Sequence, residues 1–223
     1  MQRVTILFLS LLCLLTAAAA PKWSADVFML NGTEHRGVPV AKLPEGWDKH
    51  IKTVVDNKKM SIPSDSISSV VLWRNDNPDD KCLIAWLPFG EFIMDDGSYK
   101  QTMNKKQEAR KWFAFDTKGD NLALWINFSK LKSSKSGFTM QVGNFPYWFE
   151  TKAAPYLIGV ERNVFKPSLT RRWLSAFLAD DEVLVDEINA EKELNRNLLQ
   201  QQNLDSPLVF RRIAETYTPG RKR

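Results

Sequence analysis

Between residues 23 and 160 the apolar residues come in short runs, broken about every ten positions by turn-forming residues. Runs so short cannot make packed helices, so the chain must bury them as strands joined by tight turns. The stretch from Ile51 to Trp73 shows this most clearly. Its β-branched residues suit a pleated surface, whereas Asp56-Asn57 and Pro63-Ser64 interrupt it, which predicts strand, turn, short strand, strand. Asp26 to Leu30 and Thr33 to Val40 flank Asn31-Gly32, a pair that tolerates positive φ and predicts a hairpin. Lys81 to Leu87 is nearly all apolar and reads as a strand covered on both faces. Arg74 to Asp80 reads as a long polar loop ahead of it, and Lys100 to Arg110 as a polar segment behind it. A second hairpin joins Trp112–Phe115 to Leu122–Ile126 around Gly119. Phe138–Val142, Tyr147–Thr151 and Tyr156–Val160 continue the series.

After Pro167 the period changes. Leu169, Trp173 and Phe177 fall four apart behind Ser168, a capping residue. Asp180-Asp181 can cap a second helix, with Val183, Leu184 and Ile188 on its apolar side. Pro207 opens a third, with Leu208, Phe210, Ile213 and Tyr217 as its stripe, after the polar run Gln200 to Asn203. Three short amphipathic helices must pack on one another or on the strands. The predicted class is therefore α+β, mainly antiparallel β as a sandwich or small barrels, with a C-terminal three-helix appendage.

Residues 1–20 read as a secretory signal peptide: Arg3, an apolar run from Val4 to Leu15, and the small residues Thr16 to Ala20. Cleavage is expected after Ala19, because Pro21 hinders a cut directly before it. The apolar run falls short of the roughly 20 residues that span a bilayer, so no transmembrane helix is expected after cleavage. The expected organisation is signal peptide 1–20, β-rich domain 21–166, divisible near 75–80, and helical segment 167–223. Once the leader is removed only Cys82 remains, so an exported chain must be held by its core rather than by disulfides. Its position among apolar neighbours suits a small core residue. The net charge of +5 loses one unit with Arg3, and the basic pairs Lys105-Lys106 and Arg110-Lys111 read as solvated surface. No nucleic-acid partner is expected.

Two histidines fifteen residues apart and one cysteine make no zinc pattern. Asp116 and Asp120, beside Gly119, resemble fragments of a calcium loop without its ligand spacing, and are the candidate metal residues. Gly-x-Ser-x-Gly, Ser-x-x-Lys with its companions, and His-Glu-x-x-His are all missing, and no phosphate-cradling glycine loop precedes a helix. No cofactor is expected. Of the eight tryptophans most lie in apolar runs and read as core. Trp47 follows Pro44-Glu-Gly in a loop, which makes it the candidate ligand-binding residue, a stacking platform for a sugar or peptide.

The run Leu174-Ser-Ala-Phe-Leu-Ala-Asp-Asp-Glu-Val-Leu-Val-Asp-Glu-Ile188, with Ile213-Ala-Glu-Thr-Tyr217 beyond a polar spacer, resembles the C-terminal tail of secreted Bacteroidetes proteins of unknown function. Gly32 to Gly37, and Ile62-Pro-Ser-Asp-Ser-Ile67 ahead of Trp73, are similar to their opening. The resemblance implies a β-rich part followed by short helices in an exported bacterial protein, and it carries no activity. The functional expectation is a binding or structural protein of the cell envelope, secreted or periplasmic, with an envelope protein or glycan as partner. A carbohydrate- or peptide-binding module is the alternative, and a calcium-assisted hydrolase the third.

Overall fold

The computed structural model describes residues 21–55, 58–95, 98–103, 109–159, 167–190 and 207–223. The leader 1–20, the Asp56-Asn57 turn and the polar run 200–203 lie outside them. The class is α+β: a large, mostly antiparallel sheet with three helices towards the C-terminal end among the described residues. The strands are β1 (Trp23–Met29), β2 (Glu34–Val40), β3 (His50–Val55), β4 (Lys58–Pro63), β5 (Ile67–Arg74) and β6 (Asn77–Asp95). They continue as β7 (Ser98–Met103), β8 (Arg110–Lys118), β9 (Leu122–Ser134), β10 (Gly137–Thr151) and β11 (Leu157–Gly159). The β1–β2 hairpin turns at Asn31-Gly32 as the sequence predicts, with Gly32 at φ 83°.

Three strand readings change. Arg74 to Asp80 is a tight turn at Asn75-Asp76, and β6 begins at Asn77, opposite Arg74. Buried Arg74 donates to the Asp76 carboxylate across this turn, so the polar residues serve a hairpin rather than a loop. Ser98–Met103, too polar to show an apolar alternation, is a strand because it pairs with the far end of β6. Phe138 to Thr151 belongs to one long strand that pairs with β9 on either side of two register shifts.

The sheet runs β11-β10-β9-β8-β6-β5-β1-β2-β3-β4, and β11 also pairs with β6 in parallel, Leu157 opposite Phe89. Strands β6, β8, β9, β10 and β11 therefore close a five-membered ring. Side chains alternate across a strand, so one face of each fills the ring: Ala85, Phe89, Phe113, Ala123, Trp125, Trp148 and Leu157 form one buried cluster. Phe89, Phe113 and Trp148 meet edge to face at 5.4–6.1 Å between centroids.

The opposite faces of β6, β8 and β9 build a second core with β1 to β5, including Val27, Leu72, Ile84, Trp112 and Phe128. This core is closed by a loop. After β2 the segment Leu43 to Asp48 crosses to β9, where Glu45 bridges to Lys130. The Gly46 N–H donates to the Ser129 carbonyl at 3.1 Å, and the Gly46 carbonyl accepts from the Trp112 N–H at 2.8 Å. The loop is thus wedged between the splayed ends of β8 and β9. A Cβ on Gly46 would collide with the Phe128 carbonyl, so only glycine lets the backbones approach this closely.

The helices are α1 (Pro167–Phe177), α2 (Glu182–Ala190) and α3 (Pro207–Thr216). They cover the outer face of the ring, where Leu122, Leu124, Tyr147, Phe149 and Ile158 share a core with Trp173, Leu178, Leu184 and Phe210. Phe210 stacks on Tyr147 at 4.2 Å and Phe177 on Phe149 at 5.5 Å. Helices of about ten residues are marginal alone, whereas each large apolar side chain buried contributes about 1.5–3 kcal/mol, so the sheet is what holds them. The predicted cap is present: fully buried Asp181 accepts from the Leu184 N–H at 3.1 Å. Burial pushes its carboxyl up, but Arg221 and the Thr218 and Leu184 N–H groups outweigh that and hold it below the usual carboxylate range.

Gly46→Ala is expected to lower the urea midpoint, with a loss on the order of 2 kcal/mol or more. An unchanged midpoint would show that the loop is not wedged between β8 and β9.

Candidate functional site

Trp47 stands at the tip of this wedge. Leu43, Pro44 and Gly46 on its N-terminal side are buried, yet Trp47 is 60% exposed. Its loop is closed on itself by two bonds, Asp48 N–H to the Glu45 carbonyl at 3.0 Å and Glu45 N–H to the Asp48 carboxylate at 2.9 Å. The Asp48 carbonyl also accepts from Trp112 Nε1–H and from Ser64 Oγ–H, both at 2.8 Å. The backbone on both sides of Trp47 is therefore fixed. The indole ring meets Phe89 edge to face at 5.8 Å, and Lys111 Nζ lies 4.7 Å from its centroid.

A cleft of about 650 Å³ opens beside it, lined by Leu30, Trp47, Lys49, Asp65, Trp86, Ala109 and Arg110. Leu30, 63% exposed, and Trp47 are two of the large apolar side chains that the fold leaves in solvent. Trp86, otherwise buried, donates from Nε1 to the Asp65 carboxylate at 2.7 Å, which fixes that carboxylate at the cleft. Among the described residues Arg110 reaches the Trp86 carbonyl, at 3.5 Å. Among the described residues, neither Arg110 nor Lys49 pairs with a carboxylate.

Lys111 corrects the sequence reading of Arg110-Lys111 as solvated surface. It is 6% exposed and opposite Leu87, on the face of β8 that carries Phe113 into the ring. Its ammonium lies between the Trp47 and Phe113 rings, and no carboxylate among the described residues pairs with it. Burial pushes its pKa down from the usual lysine value to about 8. Arg110, Lys111 and Asp65 escaped sequence reasoning because β8 and the turn before β5 meet only in three dimensions. The one signal on offer was the alternation Lys111, Phe113, Phe115.

The structure separates the other candidates from this cleft. The Asp116 carboxylate takes both ends of Arg211 on α3, at 2.5 and 2.6 Å, and thereby ties β8 to that helix. Asp120 is exposed in the β8–β9 turn. Among the described residues no three His, Cys, Asp or Glu side chains gather as a metal would need. Cys82 is buried, its thiol pushed up to about 12 by burial first and Asp80 second, and so stays protonated at neutral pH. Among the described residues no helix is long and apolar enough to cross a membrane. Comparison with family models, curated proteins and solved structures finds no match for the chain.

The Lys111 geometry has a pH signature. The unfolded chain holds this proton up to about pH 10.4, while the folded chain releases it near pH 8. Stability therefore rises with pH between these values, and below pH 8 the full cost of burying the charge is present. Lys111→Met is expected to stabilise the fold at pH 7 by on the order of 2 kcal/mol, and to gain much less at pH 10.5. Denaturant unfolding at both pH values reads this directly, and an equal gain at each, or no gain at pH 7, would contradict it.

Proposed function

We propose that this chain is an exported binding protein of the bacterial cell envelope, and that it takes a carbohydrate in the cleft headed by Trp47. The carrying observation is the indole left 60% exposed on a loop whose backbone is bonded to β8, β9 and itself. Leaving so large a ring in water forgoes about 1.5–3 kcal/mol of burial, and a rigid exposed ring is what stacking on a sugar face requires. Leu30 and the rim of Trp86 extend the apolar floor. Lys49, Arg110 and Asp65 supply hydrogen-bonding groups of both kinds around it, as recognition of a polyol demands. The export half of the reading rests on the leader-like residues 1–20 and the lone cysteine that follows them.

Trp47→Ala is expected to leave the fold intact and to weaken glycan binding at least tenfold, or about 1.4 kcal/mol. A glycan array followed by calorimetry on the best sugar tests it. Unchanged affinity, or binding of no sugar at all, would sink the carbohydrate reading.

A further inference from the structure

The Trp47 cleft carries a charge pattern that narrows its ligand further, an inference that rests on the carbohydrate reading above. Two cations, Lys49 and Arg110, line it, and neither has a carboxylate partner among the described residues. One carboxylate, Asp65, lines it too; Trp86 Nε1–H occupies one of its oxygens. Lys111 Nζ, 4.7 Å from the Trp47 centroid, already engages the indole's π electrons. We propose that the cleft binds an acidic sugar, a pyranose bearing a carboxylate, with its ring on Trp47, its carboxylate on Arg110 and Lys49, and a hydroxyl donating to Asp65.

Each alternative meets a specific obstacle. A cationic ligand would approach two positive side chains and an indole already engaged by a third. A neutral sugar would leave the positive charge of Arg110 and Lys49 unanswered. A polyphosphate would satisfy the cations, but its several negative oxygens would crowd the Asp65 carboxylate, which a single sugar carboxylate directed at Arg110 does not. A uronic acid answers all three requirements at once: apolar C–H face, carboxylate acceptor, hydroxyl donor. Arginine matches a carboxylate with two parallel donors, so Arg110 is the discriminating residue and Lys49 an electrostatic aid.

The test is calorimetry of the full mature chain with a uronic-acid trisaccharide, its carboxyl-reduced neutral counterpart, and tripolyphosphate. Expected is binding of the acidic trisaccharide at least tenfold tighter than the neutral one, weakening as salt rises. Arg110→Gln should bring the acidic trisaccharide down to the neutral level, Arg110→Lys should restore part of the difference, and Asp65→Asn should weaken the acidic trisaccharide without helping the neutral one. Equal, Trp47-dependent binding of both trisaccharides would overturn the acidic assignment and leave the carbohydrate reading standing. Binding of neither would overturn both. Tripolyphosphate binding tighter than the acidic trisaccharide would replace the sugar with a phosphate ligand. Circular dichroism of each variant checks folding, and the exposure of Asp65 and partial exposure of Arg110 keep these substitutions outside the core.

Discussion

The two bonds made by the backbone of Gly46 are the constraint on which the rest depends. They fill the gap where β8 and β9 splay, so the sheet that starts at β9 and curls through β8, β6, β5, β1 and β2 is closed by a loop instead of a strand. Without that closure the Trp112 N–H and the Ser129 carbonyl would lose their partners, and the core around Trp112 would open to water. The same insertion carries Trp47 out to the surface. One short stretch thus completes a core and presents an aromatic ring.

Strands β6, β8 and β9 serve two cores, one on each face, which explains why Lys81 to Leu87 is apolar almost throughout. A strand covered on both sides has little face to spare for charge: on β8 the Asp116 carboxylate is buried against Arg211, whereas Lys111 is buried with no carboxylate partner among the described residues. Its ammonium is retained between two aromatic rings at a cost in stability, behind the indole that heads the cleft. A hydrophobic residue would serve packing better there.

Local chemistry in the sequence was enough for the hairpin at Asn31-Gly32, the cap at Asp181 and the start of the last helix at Pro207, because each depends on residues a few positions apart. Polarity misled where pairing decided the outcome. Asn77 starts β6 because it pairs with Arg74 on β5, and Ser98 to Met103 is a strand because β6 offers it a ladder; no property of those residues announces it. Trp47 was legible as an aromatic in a loop. Its neighbours in the cleft come from five stretches, around Leu30, Lys49, Asp65, Trp86 and Arg110, and only the curl of the sheet assembles them. The ring closed by β11 and β6 was hidden for the same reason: a parallel pairing of three residues leaves almost no periodicity to read.

Amide hydrogen exchange at Gly46 and Trp112, followed by NMR, tests the central claim most directly. If the loop is wedged between β8 and β9, both amides will be protected to nearly the level of global unfolding, as few loop amides are. Exchange at the rate of an exposed loop would mean that Trp47 rides on a loose segment, and that neither the closed core nor the rigid platform exists as described.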